Sequence, residues 1–210
     1  MTFYAATSNP GKLAEFAGAA QPFGISVLAL PGLDAIPAPA EDATTFQGNA
    51  DIKAIAYSLA APGLLVFADD SGLEVPALGN QPGVHSARFA DRHLPKGSSS
   101  PASLSGSLDQ RNNALLLQRM ESLPPSASRA ARFVCHLALA RNGEVLFRSQ
   151  GSVEGEIMHS PRGAAGFGYD PLFFFPGLNR TFAELTREEK WQISHRGLAF
   201  RSLVQQRHLL

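Results

Sequence analysis

An α/β fold is predicted by three features of the sequence. The amino terminus reads strand, loop, helix: apolar Phe3-Tyr4-Ala5-Ala6, polar Thr7-Ser8-Asn9-Pro10-Gly11-Lys12, then Leu13-Ala14-Glu15-Phe16-Ala17 at helical spacing. A helical pattern from Thr45 to Ala60 precedes the run Leu64-Leu65-Val66-Phe67-Ala68. That run is too short for a buried helix and is closed by Pro62-Gly63 and Asp69-Asp70, so it reads as a central strand covered on both faces. Finally, Arg132 to Ala140 alternates, with Phe133, Cys135, Leu137 and Leu139 on one side, and the chain ends in a helical stretch from about Arg196 to Leu209.

Taken in order, the first strand leads into a helix whose start is set by Asn9 as N-cap and Pro10 at the first helical position, where a missing N–H costs nothing. A second strand, Ile25 to Ala29, is followed by a connection whose Pro31, Pro37 and Pro39 argue against regular structure, ending at Glu41-Asp42. In the Thr45 to Ala60 helix, Phe46, Ala50, Ala54 and Tyr57 form one stripe, and Asn49 and Lys53, four apart, share another face. Residues 97–107 are Ser, Gly or Pro at nine of eleven positions, the composition of a flexible loop, which we set at 91–108. An amphipathic helix from Asp109 to Met120 follows. The alternating strand then turns at Asn142-Gly143 into Glu144 to Arg148, and a separate strand near Gly151 to Ile157 precedes a Gly-rich loop at Gly163 to Gly168.

Composition excludes several classes. Eighteen Lys+Arg balance eighteen Asp+Glu, so no basic excess drives binding along a phosphate backbone, and nucleic acid is not expected as a partner. No apolar run approaches the ~20 residues that span a bilayer, and no basic segment, hydrophobic stretch and cleavage site open the chain, so a cytoplasmic protein with no membrane partner is expected. The single cysteine, Cys135, cannot form an internal disulfide, and no Cys/His spacing suits structural zinc. The chain is expected to form one domain, 1–210, or two lobes.

Four segments carry possible chemistry. Ser8-Asn9-Pro10-Gly11-Lys12 offers a helix amino terminus with N–H groups beside a lysine, which can hold phosphate. It lacks the spacing of a Walker loop, and an ordinary capped helix explains it at least as well. Asp69-Asp70-Ser71 stands at the end of an apolar strand, where α/β sheets place ligands. Two adjacent carboxylates favour a hard divalent cation such as Mg2+, with Glu41 or Asp42 as a further oxygen donor; a solvated acidic turn is the plainer alternative. Gly166-Phe167-Gly168-Tyr169-Asp170-Pro171 would let a planar base reach the Phe167 ring, although these aromatics could equally be core, which is the better reading for Phe173 to Phe175. Ser194-His195-Arg196-Gly197, with Lys190 five residues before His195, could present donors to a keto oxygen, or simply start a surface helix. His85, His93, His136, His159 and His208 have no partner spacing and read as structural or solvated.

In order and spacing these segments, with Thr45-Phe46-Gln47-Gly48-Asn49-Ala50 and Pro82-Gly83-Val84-His85-Ser86-Ala87-Arg88, resemble the family of inosine/xanthosine triphosphate pyrophosphatases that cleanse the nucleotide pool. The long Ser/Gly-rich stretch from about Asp91 to Leu108 departs from the family pattern, as does Asp42, where a threonine is more usual. The resemblance implies a strongly twisted mixed β-sheet flanked by helices, in two lobes with an active-site cleft between them, an architecture shared with Maf-type proteins, and commonly a homodimer. It implies hydrolysis of a purine nucleoside triphosphate (ITP, dITP or XTP) to the monophosphate and pyrophosphate with Mg2+. On this sequence it makes Asp70 the general base, Glu41 and Asp70 the metal ligands, and Thr7, Ser8, Asn9, Pro10, Gly11, Lys12 and Lys53 the triphosphate-binding set. Ser71, Phe167, Gly168, Tyr169, Asp170, Lys190, His195 and Arg196 match nucleotide-contacting positions. The rival readings are a Maf-type pyrophosphatase of other specificity and a non-hydrolytic nucleotide-binding module.

Overall fold

The computed structural model describes residues 1–93 and 106–209; most of the loop expected at 91–108 lies outside the described residues. The chain divides into two compact units: Met1–Ser71, Val134–Ser152 and Trp191–Leu210 make the first, and Gly72–Phe133 with Val153–Lys190 the second.

In the first unit, β1 (Thr2–Ala5) is followed by α1 (Pro10–Ala20), β2 (Ser26–Ala29), α2 (Phe46–Ala60) and β3 (Val66–Val75), whose last residues belong to the second unit. β1 pairs in parallel with both β2 and β3. Asn9 caps α1, as the sequence predicts, and Thr45, expected as the first residue of a helical pattern, caps α2; each side-chain oxygen accepts from N–H groups of the first turn. Beyond the expected end at Ala68, β3 runs on to Val75, so Asp69 and Asp70 lie within a strand rather than in a solvated turn. They tolerate that position because each is buried against a lysine.

The strand expected over Arg132 to Ala140 is β5 (Ala130–Arg141), and Asn142 and Gly143, both at positive φ, turn it into β6 (Glu144–Ile157). Two strands expected separately thus form one. β5 is also covered on both faces rather than half-buried: Cys135, Leu137 and Leu139 enter one cluster, while Ala138 and Ala140 pack with Ala50, Ala54 and Ala68 in another. Alanines are weak signals in an alternating pattern, which is why only one face was legible.

Packing in this unit fixes the elements that carry charged groups. Phe16 of α1 meets Phe67 of β3 edge-on at 5.1 Å and Phe200 of α6 (His195–Gln205) at 5.5 Å. Each of these fully buried rings contributes about 1.5–3 kcal/mol of burial, and together they lock α1, β3 and α6 in register. The alanine layer from α2, β3 and β5 lets α2 approach closely enough for Asn49 and Lys53 to reach Asp70.

The second unit holds β4 (Gln81–Pro82), antiparallel to β3, then α3 (Phe89–His93) and α4 (Leu108–Glu121). β7 (Phe173–Phe175) pairs antiparallel with β6 and with β8 (Arg180–Thr181), and α5 (Arg187–Ile193) follows. Its core includes Phe133, Phe173 and Phe182, with Phe173 and Phe182 centroids 4.8 Å apart, so Phe173 is core as expected. α5 was not anticipated, although Thr186-Arg187-Glu188-Glu189 spells a capping box: Thr186 N donates to Glu189 Oε2 and Glu189 N to Thr186 Oγ1. The full strand order is β2-β1-β3-β5-β6-β7-β8, with β4 beside β3, a mixed sheet flanked by helices. Among the described residues no helix is long and apolar enough to cross a membrane.

Candidate active site

In the first unit, three elements deliver charge to one place. Lys12, on the first turn of α1, holds both oxygens of Asp69, at 3.0 and 2.8 Å. Lys53, on α2, donates to Asp70 Oδ1 at 2.9 Å and to Glu41 Oε2 at 3.1 Å, and Asn49, one turn earlier, donates to Asp70 Oδ2 at 3.2 Å. Arg196, on the first turn of α6 behind its Ser194 cap, donates to Ser71 Oγ at 2.9 Å; its guanidinium also lies 3.6 Å from Glu15 and 3.8 Å from Asp69. Lys12, Lys53, Glu41, Asp70, Ser71 and Arg196, scattered in sequence, are linked through these contacts. Glu15 was missed, although it lies one turn after Lys12 on α1.

The start of α1 differs from a ready anion cradle. The Gly11 and Lys12 N–H groups donate to Asn9 Oδ1 at 2.9 and 3.2 Å, and Asn9 N donates to Thr7 Oγ1 at 3.2 Å. The expected unpaired N–H groups are therefore engaged by the cap, and positive charge at this turn comes from the Lys12 side chain. A cavity of about 610 Å³ opens beside it, lined by Thr7, Ser8, Lys12, Glu41, Lys53 and Asp69 together with Tyr57 and the segment 33–38. That volume is typical of small-molecule sites.

The two adjacent aspartates are driven apart electrostatically. Burial pushes the Asp70 carboxyl above its usual range; the Lys53 charge and hydrogen bonds from Lys53 and Asn49 pull against this, and neighbouring Asp69 adds to it. Burial acts the same way on Asp69, but the charges of Lys12, Arg196 and Lys53 overcome it and hold that carboxyl far below the usual range. Lys53 is itself raised: burial opposes its charge, and Asp70, Asp69 and Glu41 outweigh it. Paired carboxyls with opposed shifts mark a division of labour, one a fixed anion and the other a more basic group, better suited to take a proton.

Glu41 and Asp70 converge on a single ammonium, so their oxygens face one point of high negative potential, the donor chemistry a hard divalent cation takes. No group of three or more His, Cys, Asp or Glu side chains suited to a metal occurs among the described residues. Two carboxylates are the usual protein share for Mg2+, which fills its remaining positions with water and substrate phosphate. Asp42 is exposed.

In the second unit, the Gly166 to Asp170 loop is tightly organised. Asp170 accepts from Phe167 N at 2.9 Å and forms a buried ion pair with Lys190 at 2.6 Å. The Lys190 ammonium lies 4.9 Å from the Phe167 ring centroid. Tyr169 is buried, and its hydroxyl donates to Ser86 O at 2.9 Å. Phe167 is half-buried, whereas Tyr169 and Asp170 are buried and hold the loop. His195, at the start of α6 in the first unit, is buried.

Known proteins match this chain over its whole length. The Ham1 family model matches residues 3–206. The chain belongs to the Ham1 family. A Ham1 relative named dITP/XTP pyrophosphatase, from Acidobacterium capsulatum, is 50% identical over 97% of both chains. A protein of the same name from Thermus thermophilus is 45% identical over 95% of this chain and 88% of its own length. Among solved structures, a HAM1 protein from Coxiella burnetii superposes with a TM-score of 0.81 at 35% identity, covering 100% of both chains. The Staphylococcus aureus Ham1 protein gives 0.78 at 33% identity, over 99% of this chain and 98% of that one. Membership in the Ham1 family agrees with the fold and motif order predicted from the sequence.

Proposed function

We propose that this chain hydrolyses dITP, ITP and XTP to the nucleoside monophosphate and pyrophosphate. The carrying observation is the cluster in which Lys12 and Lys53 neutralise two adjacent aspartates of opposed acidity beside a cavity of about 610 Å³. Relatives named dITP/XTP pyrophosphatase support the choice of substrate.

The reaction joins a water oxygen to the α-phosphorus as the bond to the α–β bridging oxygen breaks, so the barrier lies mostly in charge and positioning. Lys12 and Lys53 bind the phosphate oxygens, with Thr7 and Ser8 along the cavity wall. Asp69 keeps Lys12 charged and oriented. Asp70, the more basic carboxyl of the pair, takes the proton of the attacking water. Glu41 and Asp70 would hold Mg2+, which when bound would neutralise charge developing on the phosphates. Arg196, fixed by Ser71, Glu15 and Asp69, presents donors to the purine 6-oxygen, and stacking of the base on the Phe167 ring is what the family resemblance implies. An adenine amino group in the same place would leave such a donor unpaired, costing about 1–3 kcal/mol, so ATP is rejected. The family resemblance extends the reading to a homodimer acting in the cytoplasm.

A panel of nucleoside triphosphates incubated with Mg2+ tests this reading. Pyrophosphate release from ITP and XTP at rates well above ATP is expected. Orthophosphate as first product, equal rates with ATP, or binding without hydrolysis would each reject it.

A further inference from the structure

The loop that carries Phe167 is built on glycines, and within it Asp170 accepts from Phe167 N at 2.9 Å. Gly166 and Gly168 flank Phe167 at φ +78° and +61°, in the left-handed region, where backbone torsions are soft. α4 supplies a second restraint, from outside the loop. Asp109 and Asn113 lie four residues apart, on one face of its first turns. Asp109 Oδ2 accepts from Gly168 N at 2.7 Å, and Asn113 Nδ2 donates to Gly168 O at 2.9 Å. Both polar backbone groups of one glycine are thereby held by one helix.

The same helix braces the next residue through an intermediary. Asn112 donates to Ser86 O and Ala87 O at 3.3 and 3.2 Å, and Ser86 O is also the acceptor of the Tyr169 hydroxyl. The helix is itself firmly started, since Ser107 and Gln110 form a reciprocal capping box. A charge-assisted bond from an N–H to a carboxylate is about twice as strong as a neutral one, so Asp109 is the stronger of the two α4 contacts to Gly168.

We infer that Asp109 and Asn113 are positioning residues for purine binding: by clamping the Gly168 peptide they fix the plane that the Phe167 ring offers to the base. This inference rests on the proposed stacking of Phe167. Neither residue needs to touch the nucleotide. Their contribution is conformational freedom removed before the substrate arrives, which shows in substrate affinity rather than in the chemical step.

The test compares the parent chain with Asp109→Ala/Asn113→Ala and with Asp109→Asn, whose amide oxygen can still accept from Gly168 N. With ITP and Mg2+, KM of the double variant should rise about tenfold, the order lost when one stacking contact is weakened, while kcat stays within about twofold. Asp109→Asn should recover most of the affinity. Inhibition by inorganic pyrophosphate, which has no ring, should be the same in all three proteins. An unmoved KM in the double variant, no recovery in Asp109→Asn, or an equal loss of pyrophosphate inhibition would overturn the clamp while leaving the functional reading intact. Failure of the parent chain to hydrolyse ITP would instead overturn that reading and the clamp with it.

Discussion

Asp69 and Asp70 are consecutive residues of one strand, yet Asp69 pairs with Lys12 at 2.8 Å and Asp70 with Lys53 at 2.9 Å. Successive side chains of a strand point to opposite faces, so the two carboxylates meet helices from different sides, α1 and α2, and the Asp69 charge is the smallest of the influences on Asp70. One chain segment thus supplies a fixed anion and a proton acceptor.

Asp70→Asn should lower kcat about 10²–10⁴-fold, the range of a positioned acid–base group, with little change in KM. The parent rate should rise with pH as Asp70 loses its proton, with an inflection above the ordinary carboxylate range because burial raises this carboxyl. Steady-state kinetics over pH measure both. Near-normal turnover in the variant would remove Asp70 from the role of base.

Asp69→Asn tests the other member. Its folded-state pKa lies below the unfolded value, so the stabilisation is complete above the ordinary carboxylate range and fades as pH falls through the depressed folded value. The variant should lose about 3 kcal/mol near neutral pH, the cost of stranding buried positive charge, and the gap from the parent should shrink in acid. Urea unfolding at several pH values reads this directly; a gap independent of pH would contradict it.

Much of this arrangement was legible locally. Asn9 and Thr45 are caps defined by their own helices, and the four-residue spacing of Asn49 and Lys53 put both on the face that meets Asp70. What could not be read was long-range pairing. Nothing near Asp69-Asp70 announced that β3 would continue to Val75, because burial of those acids depends on lysines 57 and 17 residues away. The grip of Asp109 and Asn113 on Gly168 spans 59 and 55 residues, and neither partner carries a local signature of it. α5 is different: its capping box, Thr186 with Glu189, is written in the sequence.

Cys135 lies on β5 in the packed interior of the first unit, fully buried, and burial with the nearby Asp69 charge pushes its thiol well above its usual range. A thiol without thiolate character or exposure reacts slowly. The folded protein should resist iodoacetamide and label fully in denaturant, so that labelling under native conditions follows opening of this core. Mass spectrometry after timed exposure checks it; rapid labelling without unfolding would show that β5 is more accessible than its packing implies.

α6 is held by a close approach to β6. Gly151 of β6 sits so close to α6 that an added Cβ would collide with the backbone of His195 and Ala199. Backbone cannot rotate aside as a side chain can, so Gly151→Ala must displace the start of the helix that carries Arg196. Overpacking of this kind costs about 1–3 kcal/mol. Because Arg196 reaches Ser71 through one hydrogen bond of 2.9 Å, a small shift of α6 should also loosen that bond. The variant should therefore melt at lower temperature and discriminate less between ITP and ATP, with kcat for ITP reduced less than its selectivity. A stability loss with unchanged selectivity would separate the packing of α6 from the placement of Arg196.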